Sequence, residues 1–250
     1  MDKLSVVLIT RNEQANIERC LKSILPIADE IIVVDSGSTD ATQYICSKYS
    51  VRWHSCEWKG FGEQKNYANS LATYDYIFSI DADEELSPQL CESIRAAKVE
   101  GFSGIYSMNR LARYANRWIR HCGWYPDTKI RIWNRHIGSW HGYVHEQLQF
   151  NSTQQERLLQ GDLLHYSYSN IADHIARANT YTSLVAQQYF ERGKRTNPLK
   201  MIFAALFGFV RDYIFRQGFR DGIQGLIICS IAAFSTFLKY AKLWELQRNQ

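Results

Sequence analysis

The six cysteines (Cys20, Cys46, Cys56, Cys91, Cys122 and Cys229) form no CxxC pair and no zinc-type spacing. A chain of 250 residues does not depend on disulfide staples, so they read as reduced thiols in a cytosolic compartment. No internal repeat or low-complexity stretch is present, which excludes solenoid and compositionally disordered classes. Residues 1–5 lead straight into a strand-like segment without the charged and then apolar layout of a leader, so nothing marks the chain for export. Strong net charge is also missing: 29 Lys and Arg against 25 Asp and Glu leave +4, too little for a dedicated nucleic-acid binder. That surplus gathers in the last quarter, at Lys194, Arg195, Lys200, Arg211, Arg216, Arg220, Lys239 and Lys242, and implies an anionic surface as partner. Aromatic residues are plentiful at 14%, with 7 Trp and 15 Tyr, suiting cores, membrane interfaces or sugar faces.

Short apolar, β-branched runs mark strands at Ser5–Thr10, Glu30–Asp35, Val51–His54 and Tyr76–Ile80, alternating with helical segments near Ala15–Leu25, Asp40–Tyr49 and Glu63–Leu71. Pro26 stops the first helix, and Ser87-Pro88 opens another after the fourth strand. Consecutive βα units predict an α/β fold with a doubly wound, mostly parallel sheet, whose ligands lie beyond the carboxyl ends of the strands. Thr10, Asp35 and Asp81 all stand at such ends. From Gly101 the pattern turns to glycine- and aromatic-rich strands, predicting an antiparallel extension. A helix follows from Asn170 to Arg192, Asn197-Pro198 marks a break, and two apolar helices, Leu199–Phe215 and Ile223–Leu238, close the sequence. The expected division is a catalytic domain over 1–168, with a nucleotide-binding half over about 1–100 and an acceptor-side half over 101–168. A helical region over 169–250 would serve a membrane interface, a partner subunit or a second copy of the chain.

The chemistry concentrates in Asp81-Ala82-Asp83-Glu84-Glu85. Two carboxylates one residue apart at a strand end can address a hard divalent cation such as Mg2+ or Mn2+, which shares its shell with substrate phosphates. The alternative for these acids is a solvated helix start. Three segments in order, LSVVLITRNE, IIVVDSGSTDAT and YIFSIDADEELS, resemble the family 2 glycosyltransferases, and WKGFGEQKNYA, RWIRHCGWYPDTKIRIWNR and WHGYVHEQL are similar to bacterial lipopolysaccharide core β-glucosyltransferases. Ile132-Trp133 departs from the Leu-Phe common there.

The resemblance implies a GT-A fold and inverting transfer of a sugar, glucose for preference, from a UDP-linked donor to a glycan or lipid-linked acceptor such as lipopolysaccharide core, on the cytoplasmic membrane's inner face. It implies Thr10, Asn12, Glu13 and Asp35 around base and ribose, Lys65 on the phosphates, Asp81 between ribose and metal, and Asp83 as the principal metal ligand. His165 stands where such enzymes return a histidine to the metal. The general base falls on Glu146, with Asp127 next; His145 would orient Glu146 or contact phosphate, and Arg131 and Arg135 would meet diphosphate or an anionic acceptor. Two other functions compete. A sugar nucleotidyltransferase would need a glycine-rich basic loop after the first strand, where Arg11-Asn12-Glu13 stands instead. A membrane-surface protein that binds nucleotide-sugar without turnover would keep the same residues.

Overall fold

The computed structural model describes residues 2–142, 147–168 and 170–248. The chain opens with β1 (Leu4–Thr10), α1 (Ile17–Ile24), β2 (Glu30–Asp35), α2 (Thr42–Cys46), β3 (Arg52–Ser55), α3 (Phe61–Ser70) and β4 (Tyr76–Asp81). It continues through β5 (Glu84–Leu86), α4 (Pro88–Glu100), β6 (Ile105–Tyr114), β7 (Arg117–Trp118), β8 (Asp127–Asn134), β9 (Gly138–His141), β10 (Gln147–Phe150) and β11 (Glu156–Tyr168). The helices α5 (Ile171–Glu191), α6 (Pro198–Val210) and α7 (Gly222–Arg248) finish it. A π-helical turn, Arg211–Phe215, and a 3-10 turn, Gly218–Asp221, connect the last two.

One sheet has the order β3-β2-β1-β4-β8-β6-β11-β5, with β7 on β6, and β9 and β10 make a separate ribbon. The first four strands in that order are parallel, and β8 joins β4 antiparallel. This is the mostly parallel α/β arrangement expected, continued by an antiparallel half. Burial on both faces explains the unbroken apolar character of β1: Leu4, Val6 and Leu8 pack with Ile17, Leu21 and Ile24 of α1, while Val7 packs on the other face with Ile32, Ala68 and Trp133. Each such side chain, fully buried, stabilises by about 1.5–3 kcal/mol. Ile132 and Trp133 are both wholly buried in these two clusters, so their difference from Leu-Phe is a matter of core volume.

The chain divides into two compact units, Met1–Arg110 with Asp127–His165, and Leu111–Pro126 with Tyr166–Gln250. The second therefore takes in an internal segment besides the C-terminal helices. Within it, buried Asp221 accepts the backbone N–H of His121 at 2.8 Å and lies 2.9 Å from that ring's Nδ1, tying the internal segment to the 3-10 turn. At the π-helical turn, buried Asp212 accepts from Arg211 at 2.8 and 2.9 Å and from Arg216 at 3.1 Å, so the acid within this apolar segment is paired. Within Gly218–Arg248, 31 residues, an 18-residue window reaches a mean hydropathy of 1.5, long and apolar enough to cross a bilayer by length and composition. The apolar segment of α6 shows Leu199, Ile202, Phe203, Leu206, Phe207 and Val210 to solvent, an i, i+3, i+4, i+7 stripe.

Candidate active site

Strand register sets the site. Thr10 is paired with Asp35 and Ile9 with Asp81, so the carboxyl ends of β2, β1 and β4 lie level. The chain moves outward from β1 through β2 to β3 and then returns to β4 on the other side of β1, and the fork between β1 and β4 is a topological switch point. A cavity of about 470 Å³ opens there, walled by Thr10, Glu13, Lys65, Asp81, Asp83 and His165, among others. This volume suits a small-molecule ligand. The Thr10 hydroxyl is buried without a protein partner among the described residues, an unsatisfied group on the cavity wall. Trp58 and Phe61, edge to face at 4.7 Å between centroids and both exposed, add an aromatic rim.

Two expected residues do not line the cavity; they build its edge. The Asp35 carboxylate accepts the backbone N–H groups of Gly37 and Ser38 at 3.0 and 2.9 Å and the Ser38 hydroxyl at 2.5 Å. Asn12, in the left-handed region at φ 55°, accepts the Thr39 N–H at 2.8 Å and donates its own backbone N–H to Ser38 at 2.9 Å. Together they zip the loop after β1 to the loop after β2, which places Ser36 on the wall. Glu13 lies on the wall and accepts from the Asn16 amide at 2.8 Å.

The carboxylates after β4 differ sharply in environment. Asp81 has one oxygen 3.2 Å from the Lys65 ammonium and the other accepting from Arg131 at 2.9 Å. Burial works to raise its pKa, but Lys65 and Arg131 together hold the carboxyl far below the usual carboxylate range. Glu84 is fully buried, accepts from Arg131 at 2.6 Å and from the Asp81 N–H at 3.0 Å, and has its pKa raised by burial that Arg131 offsets only in part. Lys65 is 6% exposed and its ammonium lies 4.7 Å from the Trp140 ring centroid; neighbouring Asn66 holds Trp140 by two backbone bonds of 2.8 Å.

Asp83 faces His165 across the cavity wall, Oδ2 to Nε2 at 3.2 Å. The cause is strand pairing: Glu84–Leu86 does not start a helix but adds to the sheet, His165 opposite Glu84. The helix begins later, at Pro88, with the Ser87 hydroxyl accepting from Leu90 N–H. A carboxylate and an imidazole side by side on a cavity wall fit the shell of a Mn2+ ion completed by substrate oxygens, the imidazole suiting Mn2+ better than Mg2+. Asp81, with both oxygens engaged by cations, fits it less well. Among the described residues no group of three His, Cys, Asp or Glu side chains is arranged to hold a metal by protein atoms alone.

Glu146 and His145 lie outside the described residues. Asp127 accepts from Arg110 at 2.8 and 3.0 Å and pairs with Lys129 at 2.8 Å. Burial raises its pKa, but Lys129 and Arg110 outweigh burial and leave it below the usual range, which makes it a weak general base. Arg131 does not face ligand; it is 4% exposed and clamps Asp81 and Glu84. Sequence reasoning missed this clamp, although a lone arginine in the apolar run KIRIW was the available signal, because a buried charge needs partners. Arg135 donates to Ser70 O at 3.4 Å and His141 pairs with Ser139 at 2.9 Å, both away from the cavity wall.

Residues 5–172 match the family model described as Glycosyl transferase family 2. An uncharacterized glycosyltransferase of Rickettsia typhi is 31% identical over 98% of this chain and 88% of its own length. The lipopolysaccharide core biosynthesis glycosyltransferase LpsC of Rhizobium meliloti is 32% identical over 97% of this chain and 92% of its own length. Among solved structures, glucosyl-3-phosphoglycerate synthase of Mycobacterium tuberculosis, in complex with Mn2+, UDP and its product, is 29% identical with a TM-score of 0.38, covering 45% of this chain and 44% of that one.

Proposed function

We propose that this chain, which belongs to glycosyl transferase family 2, moves a hexosyl group, glucose for preference, from a UDP-linked donor to a hydroxyl of a glycan or lipid-linked acceptor with inversion at the anomeric carbon. The observation that carries this reading is the cavity at the β1/β4 fork, where Asp83, His165 and Lys65 converge beside an unsatisfied Thr10 hydroxyl. Similarity to a lipopolysaccharide core transferase supports a glycan acceptor of that kind.

Asp83 and His165 would hold a divalent cation, whose chemistry is to neutralise charge gathering on a departing diphosphate. Lys65 supplies a positive charge for the same phosphates, held 3.2 Å from Asp81 in a nearly dry setting. Thr10 donates or accepts at the ribose side, and Trp58 and Phe61 offer apolar faces that exclude water. Glu146 is proposed to take the proton from the attacking acceptor hydroxyl, a task that the engaged Asp127 is poorly placed to perform.

The helical unit is proposed to rest on an anionic lipid surface. The exposed α6 stripe supports this, and residues 195–220 carry Arg195, Lys200, Arg211, Arg216 and Arg220 against Asp212 alone. The test of the catalytic reading is UDP release from UDP-glucose with Mn2+ or Mg2+, with and without a chelator. Asp83→Ala is expected to lower turnover by about a hundredfold or more while leaving the unfolding temperature in place. Turnover by that variant at the parent rate removes Asp83 from the mechanism.

A further inference from the structure

The second unit contains a cavity of its own, about 280 Å³, between α5 and α7 and floored by Tyr168. Its α5 wall comes from His174, Arg177, Tyr181 and Thr182, spaced three and then four residues apart along one helix face, with Thr182 next to Tyr181. Its α7 wall comes from Ser235, Thr236 and Lys239. The volume lies near the lower end for ligand sites, the size of a small ligand or of one sugar of a larger one.

The charges in this wall are unbalanced. Arg177 bonds through Nε to Asp173 at 3.0 Å and lies 5.2 Å over the Tyr168 ring, leaving the two terminal amino groups of its fork without a protein acceptor among the described residues. Lys239 contacts only rings among the described residues, with its ammonium 4.8 Å from the Tyr240 centroid and 5.5 Å from that of Tyr189, and no carboxylate pairs with it. Behind Thr182, the Lys242 ammonium is held by Asn179, Thr182 and Ser183 at 2.7–2.9 Å, again with no carboxylate. Two cations, Arg177 and Lys239, therefore line the cavity, and among the described residues Asp173 is the single acid bonded to either, a setting for a phosphate rather than a neutral or cationic group.

The hydroxyls ask for something else. Ser235 and Thr236 spend their protons on the backbone oxygens of Ile231 and Ala232, at 2.7 and 3.0 Å. Their remaining lone pairs accept, and a phosphate dianion has no proton to give them, whereas a sugar hydroxyl does. Tyr181, 54% exposed, presents a ring face of the kind a pyranose packs against.

We infer that this cavity binds a phosphorylated saccharide, with phosphate toward Arg177 and Lys239 and ring hydroxyls toward Ser235 and Thr236. Its ligand is the acceptor glycan's phosphorylated portion; in that identity alone the inference rests on the transferase reading, since binding is measured without turnover.

The test is calorimetric titration of the full chain with glucose 6-phosphate, with UDP and Mn2+ at saturation to fill the other cavity. Binding should persist, the Arg177→Gln/Lys239→Gln double variant should raise Kd at least tenfold, and glucose and inorganic phosphate should each bind at least tenfold more weakly. Should the double variant unfold early, Ser235→Ala/Thr236→Val serves instead, weakening glucose 6-phosphate severalfold but not inorganic phosphate. Loss of binding on adding UDP, equal affinity for inorganic phosphate, or unchanged affinity in the variants overturns the inference. So does competition by phosphatidylglycerol vesicles that depends on Arg177 and Lys239, which would make the ligand a lipid headgroup.

Discussion

At the scale of single residues, three acids within four positions have three separate functions. Asp81 lies on the cavity wall with both oxygens held by cations, Glu84 is sealed in the interior against Arg131, and Asp83 faces the cavity paired with a histidine. Sequence spacing made Asp81 and Asp83 look equivalent, because the dipeptide interval says nothing about which side chain meets Arg131 from another strand. Arg131 reaches them because β8 lies antiparallel to β4, with Ile132 opposite Phe78. Removing it strands the buried Glu84 carboxylate and takes one of Asp81's two cations. Arg131→Met is expected to cost about 3–5 kcal/mol in urea unfolding, since breaking a buried pair leaves an uncompensated charge. A loss below about 1 kcal/mol would mean that water reaches Glu84 freely, against its complete burial here.

At the scale of elements, the pairing of β5 with β11 is decisive. It converts an acidic stretch that reads as a helix start into an edge strand, and it sets His165 beside Asp83 from 82 residues away. Gly161, at φ +97°, permits the approach: a Cβ there would stand 2.3 Å from Leu90 N at the start of α4. The helical elements have a similar device. A Cβ on Gly225 would stand 1.9 Å from the Gly218 carbonyl oxygen, so α7 can pack on the 3-10 turn only without a side chain. Gly225→Ala is therefore expected to destabilise by about 3 kcal/mol, the upper end for overpacking because backbone must yield. A thermal melt matching that of the parent would show that the turn moves aside easily.

At the scale of the whole molecule, charge divides by unit. Leu111–Pro126 and Tyr166–Gln250 hold fourteen Lys and Arg against five Asp and Glu, while the unit bearing the cavity at the β1/β4 fork holds fifteen against twenty. The mild net charge of +4 hides this opposition. A strongly basic helical unit with an exposed apolar stripe is the composition of an interfacial binder. Co-sedimentation with vesicles containing phosphatidylglycerol should retain the chain, and Phe203→Ser/Phe207→Ser should release most of it, with added salt weakening what remains. Retention of the double variant equal to the parent would exclude α6 as the contact.

The order of strands and helices, the carboxylates at strand ends and the family were legible in the sequence, because each rests on local periodicity or on short contiguous motifs. Buried strands must be apolar throughout, and the acids that break those runs mark the strand ends, so both are written in neighbouring letters. The division of labour among Asp81, Asp83 and Glu84, the retreat of Asp35 and Asn12 into the loops, and the basic cavity of the helical unit were decided by tertiary structure alone. Each depends on which cation arrives from a distant strand or helix. Coulomb interactions and desolvation act through space, and chain spacing does not encode them.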